Sequence, residues 1–63
     1  MDEIKRLLKE KLFNLQVELE SSYTNYDRVN RLRNEITGIK QALYCLGIHL
    51  SINFPSEFEL TVM

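Results

Sequence analysis

Nearly every device by which small proteins reinforce themselves is missing from this chain. Its 63 residues include one cysteine, Cys45, and one histidine, His49. A lone cysteine cannot close a disulfide within the molecule, and one Cys with one His cannot complete a four-ligand zinc site. The two glycines, Gly38 and Gly47, stand apart, so there is no glycine-rich phosphate loop. No stretch reaches the roughly 18 apolar residues of a membrane span. The opening MDEIKRLLKEK is charged where a secretory signal would be apolar, so a reducing cytoplasmic setting is expected. Neither sign of charge dominates: eight Lys or Arg face nine Asp or Glu. A protein that grips duplex nucleic acid through its phosphates would be clearly basic, which sets that class aside. By elimination, stability beyond one small core is expected from association with further copies.

Against these absences stands a strong apolar pattern. Val29, Leu32, Ile36, Ile39, Leu43 and Leu46 repeat at spacings of three and four, the a and d seam of a helix that docks lengthwise on another. Leu8, Leu12, Leu15 and Leu19 supply the partner. Pairing 19 with 29, 15 with 32, 12 with 36 and 8 with 39 keeps the sum of residue numbers nearly constant, as an antiparallel hairpin requires. The expected elements are a helix over residues 2–21, a turn over 22–25 and a helix over 26–46. Asp2 and Glu3 suit the positive end of the first helix dipole. Asp2 with Arg6, Arg6 with Glu10, Asp27 with Arg31 and Arg31 with Glu35 have the spacing of favourable pairs along a helix. Lys5 holds a nominal seam position and is expected to turn outward, with Ile4 taking its place opposite Leu43.

Ser21, Ser22, Tyr23, Thr24 and Asn25 form the polar break. Thr24 followed by Asp27 approximates a capping box, with Asp in the usual place of Glu or Gln. Gly47 is placed to end the second helix in the left-handed conformation, with Ile48 covering Leu43. Beyond Gly47 the period changes to two. Ile48, Leu50, Ile52 and Phe54, then Phe58, Leu60 and Val62, alternate with polar residues around Pro55, Ser56 and Glu57. This predicts a β-hairpin or pair of short strands over 48–62, which must pack on the helices or pair with another chain.

The seam leaves apolar residues unused. Phe13 and Val17 lie roughly opposite it on the first helix, with Leu7 to one side. Gly38, Ala42 and Cys45 form a small-residue stripe away from it on the second. Either the β-segment folds back over these faces, or they form an interface between copies, most simply a two-fold dimer, joined by Phe54 and Phe58. The second alternative is the one expected, because a lone helix pair leaves much surface wet.

Candidate chemistry concentrates at the turn. Tyr23, Asn25, Tyr26, Arg28, Arg31 and Arg33 combine residues that stack on bases with residues that hold phosphate or carboxylate in two prongs. The same residues also suit a solvated helix face. His49 projects away from the apolar side of its strand and has no second metal ligand nearby. Cys45 has no evident base and sits in a stripe that suggests packing. Glu18 and Glu20 diverge on a helix and make a poor acid–base pair. Without a catalytic constellation, no enzyme and no cofactor are expected. The mixed-sign first helix, with its apolar side committed to the seam, does not suit a membrane surface.

The expected fold is therefore mainly α: an antiparallel two-helix coiled-coil hairpin with a short β-hairpin, residues 1–63 forming one small self-associating domain. The function expected is a non-enzymatic homo-oligomeric interaction protein, a small inhibitor or regulator that binds a larger protein. In size and layout it is similar to the accessory proteins of phages and mobile elements, by analogy alone. The alternatives are an oligomeric sponge for a small anionic ligand such as a nucleotide signal, and a structural assembly unit.

Overall fold

The computed structural model describes residues 2–53 and 57–63. Helix α1 spans Asp2–Glu20 and helix α2 spans Tyr26–Cys45; strands β1 (Ile48–Asn53) and β2 (Glu57–Val62) follow as a two-stranded antiparallel sheet. The protein is thus mainly helical, a helical hairpin with a β-hairpin after it, as the periodicity predicts. The turn expected at residues 55–57 falls outside the described residues except for Glu57, which opens β2. Phe54 also lies outside them.

The seam is real. Leu8, Leu12, Val29, Leu32, Ile36 and Leu43 are all buried, and Ile4, Leu15 and Ile39 are half-buried. Each buried aliphatic side chain contributes roughly 1.5–3 kcal/mol relative to exposure. Lys5 is exposed and Ile4 packs beside Leu8 and Leu43, as expected. Leu46 departs from the expectation: it is 72 % exposed. The helix ends at Cys45, and Leu46 is the cap residue, its N–H donating to the Leu43 carbonyl at 2.9 Å. Its counterpart in the antiparallel register would fall at the very start of α1, where no seam residue remains to meet it. Leu19, at the opposite extremity, is also exposed rather than enclosed.

Gly47 behaves as its position predicts. Its φ is 81°, and its N–H donates to the Tyr44 carbonyl at 3.0 Å. The left-handed residue turns the chain back, so that Ile48 and Leu50 return over the end of the seam. Leu50 joins Leu8 and Leu43 in the tightest cluster of the molecule, flanked by Ile48, Phe58 and Leu60. The sheet register sets Ile48 opposite Val62, Leu50 opposite Leu60 and Ile52 opposite Phe58, so these apolar residues share the face turned to the helices. Met63 N–H donates to the Gly47 carbonyl at 2.8 Å and closes the open end of the hairpin.

The start of α2 corrects the expected cap. Asn25, not Thr24, is the N-cap: its backbone is extended, and its side-chain oxygen accepts from the Arg28 N–H at 3.2 Å. Thr24 instead donates its hydroxyl to the Ser21 carbonyl at 3.3 Å, finishing α1. Asn25→Ala should therefore lower stability by about 1 kcal/mol, and Thr24→Ala by clearly less, in denaturant melts followed by circular dichroism.

Candidate functional site

The polar turn is assembled by a residue from outside it. In a capping box, the acid three positions into the helix reaches back to the N–H of the cap residue. With Asn25 as the cap, that third position is Arg28, which has no acid to do so. Glu18, near the end of α1, accepts the Asn25 N–H at 2.8 Å, and its other oxygen lies 3.8 Å from Arg28 Nε. The carboxylate thus sits at the positive end of α2, where the helix dipole also favours it. Among the described residues the ion pairs are this one and Lys11 with Glu35, and both cross between helices rather than running along them as the spacing suggested. Glu20 accepts from Gln16 at 3.2 Å, so Glu18 and Glu20 have separate partners and form no acid–base pair.

The arginine group expected at the turn divides. Arg28 and Arg31, three residues apart, line one shallow cleft with Asn25, Asp27 and Leu32. Arg33, Tyr23 and Tyr26 do not line it; all three are exposed, and Arg33 lies well around the helix from Arg28. Asp27 in the cleft and Glu18 beside it bring two carboxylates to the two guanidinium groups; among the described residues only Arg28 forms an ion pair, with Glu18. The oxygen of Asn25 is engaged in capping α2 and is not held free for a ligand.

The faces left over by the seam remain open in the folded chain. Phe13 is 61 % and Val17 51 % exposed. At spacing four they share one stripe of α1, which Arg6 and Glu10 extend toward the N-terminus. Leu7 is 42 % exposed and lies in a shallow depression with Glu3, Arg6 and Glu10. On α2, Gly38, Ala42 and Cys45 are all exposed, and a Cβ built on Gly38 meets nothing within 4 Å. The β-hairpin therefore does not fold over these faces. It covers the Leu8–Leu43 end of the helix pair instead, and Phe58 is half-buried there within its own chain.

Cys45 and His49 line one open groove between α2 and β1, together with Lys40, Tyr44 and Ile48. No carboxylate lines this groove to orient a base. Among the described residues, no group of three His, Cys, Asp or Glu is placed to hold a metal ion, and no helix is long and apolar enough to cross a membrane.

Compared with protein-family models, with curated proteins and with solved structures, the chain matches none. Its functional reading therefore rests on these surfaces.

Of the residues picked out by sequence, Arg28, Arg31 and Asn25 come together; the helix-face residues are present as separate, uncovered patches. Glu18 was missed as the organiser of the turn. No local spacing reveals it, since its partner is seven residues away across a reversal of the chain. The open space at Gly38 also has a measurable consequence. Gly38→Ala should stabilise the helix by roughly 1 kcal/mol and raise Tm by about 4–8 °C. A fall in Tm would place another backbone against this face.

Proposed function

We propose that this chain is a non-enzymatic interaction protein that associates with further copies of itself and covers a surface on a larger protein, as an inhibitor or regulator. The observation that carries the reading is the Phe13–Val17 stripe. An aromatic and an aliphatic side chain, one helical turn apart and rimmed by Arg6 and Glu10, have the form of anchors that a helix inserts into a partner's groove. The chain gains nothing internally from exposing them: the seam is filled without them, and a 63-residue molecule has little apolar surface to spare. The polar clefts offer less. They are shallow and, at the turn, balanced in charge.

Replacing both residues, Phe13→Lys with Val17→Lys, tests this directly. Both positions are exposed, so helix content should be unchanged and the free energy of unfolding should hold within about 0.5 kcal/mol. From a lysate of the source cells, the native chain should capture one stoichiometric protein and the double variant should not. Equal capture by both would remove the α1 face from the reading.

The anionic-ligand alternative keeps one supporting observation, the shared cleft of Arg28 and Arg31. Its charge balance argues for no tight site, so a panel of nucleotides should leave the melting midpoint unchanged. A ligand-dependent rise abolished by Arg28→Ala with Arg31→Ala would overturn the reading in favour of sequestration.

A further inference from the structure

The two-stranded sheet ends in an unused edge, and the hydrogen-bond pattern says which residues it presents. Met63 donates to Gly47, so residues 47 and 63 form a hydrogen-bonded pair. Such pairs alternate along an antiparallel ladder. With the observed register, the bonds inside the hairpin therefore fall at His49–Thr61, Ser51–Glu59 and Asn53–Glu57. The N–H and C=O groups of Phe58, Leu60 and Val62 then point out of the far side of β2. Among the described residues, no side chain or turn takes them up. β2 is also the outer strand: β1 packs along α2, whereas β2 is held chiefly by β1. Proteins usually blunt such an edge with charged side chains, Lys above all, with Pro or with a bulge. This strand, Glu57-Phe58-Glu59-Leu60-Thr61-Val62, carries two glutamates but no Lys or Pro, and its pairing is unbroken over six positions.

We propose that β2 is the surface through which two copies of this chain associate, pairing antiparallel about Leu60 to make a continuous four-stranded sheet. The proposal rests on the self-association in the function proposed above and assigns it to a strand edge rather than to the helix faces. A two-fold axis normal to the sheet keeps Phe58, Leu60 and Val62 on the helix side in both copies. Centred on Leu60, it sets Leu60 opposite its own equivalent, Phe58 opposite Val62 of the second copy, and Glu59 opposite Thr61 of the second copy. All three outward-facing residues of each strand then pair, for about six backbone bonds. Neighbouring registers are worse. Centring on Glu59 opposes two Glu59 carboxylates, centring on Phe58 opposes Glu57 to Glu59 twice, and centring on Thr61 loses two bonds. Like charges directly opposite one another destabilise a sheet. The glutamates therefore select one register rather than forbidding the pairing. Lys5 and Lys9 line the same open groove as Glu57 and Glu59, although none of the four forms an ion pair among the described residues. The arrangement also explains Val62, which is 83 % exposed in the single chain and would be covered by Phe58 of the second copy.

The test uses the full chain, made by ligation with an N-methyl group on Leu60. That group blocks an outward N–H and leaves the β1–β2 ladder intact. Light scattering of the native chain across dilution should show a dimer, and the Leu60 amide should exchange with solvent at least about tenfold more slowly in the associated form. N-methylation should weaken the dimer by roughly tenfold or more with the circular dichroism unchanged. Two folded variants check the register independently: Thr61→Glu should weaken association and Thr61→Lys should tighten it, both most strongly at low salt. A native chain that stays monomeric, a dimer indifferent to N-methylation, or Thr61 variants that behave alike would overturn the proposal. Phe13→Lys with Val17→Lys should leave this dimer intact. Loss of partner capture with dimerisation preserved thus counts against neither reading, and a dimer lost in that variant would move the interface to α1.

Discussion

Leu8, Leu43 and Leu50 come from three different elements and meet with almost no solvent contact. Everything else in the molecule depends on that meeting. A two-stranded hairpin is barely stable alone in water, and a helix pair of this length buries one stripe of each helix. Leu50 couples the two, because it belongs to the sheet but is enclosed by the seam. Gly47 makes the coupling possible. A residue with a Cβ resists the left-handed conformation that brings β1 back after a single reversal. The Met63–Gly47 hydrogen bond then ties the end of β2 to the same point, so the apolar cluster and the reversal reinforce each other.

At the opposite end of the helix pair polar contacts are added to the apolar ones. Val29 and Leu32 of α2 stay buried there, while the leucines of α1 give way to Leu15, half-buried, and Leu19, exposed. Glu18 joins the end of α1 to the start of α2 through a charge-assisted bond to the Asn25 N–H, and Asn25 caps the helix it opens. The Lys11–Glu35 pair spans the rim between the two ends. Exposed or half-exposed ion pairs contribute little to stability, so the register rests on the apolar seam, and these two pairs are compatible with it.

The split between what could and could not be read from the sequence follows the range of the interactions. Six apolar residues at spacings of three and four specify a helix face, and the constant pairing sum specifies its antiparallel mate. The change of period at Gly47 specifies the hairpin. Each of these is a repeated signal in which errors average out. Single polar contacts carry no such redundancy. Thr24 and Asn25 are both good cap residues, and only the path of the turn decided between them. Glu18 acts across a chain reversal, so neighbouring residues could not announce it. Leu46 fitted the period but lay past the last position at which the first helix could answer it, since a seam ends where its shorter partner ends. The arginines misled for a related reason: closeness in sequence set Arg28, Arg31 and Arg33 together, whereas helical geometry turned Arg33 away.

Two of the surfaces left open among the described residues differ in the partner they can select. The Phe13–Val17 stripe is apolar and adapts to any groove of suitable shape, so its specificity must come from the partner and from the charged rim of Arg6 and Glu10. A strand edge behaves in the opposite way. Its backbone groups accept any extended chain, and discrimination falls to the side chains that alternate along it. In β2 those are Glu57 and Glu59 on one face and Phe58, Leu60 and Val62 on the other. A strand that alternates acid with apolar residues best matches a strand that can set uncharged residues opposite the acids and apolar residues opposite its own kind. Within this chain the end of β2, with Leu60, Thr61, Val62 and Met63, supplies that complement to its beginning, so the sequence that creates the exposed edge also provides what fits it.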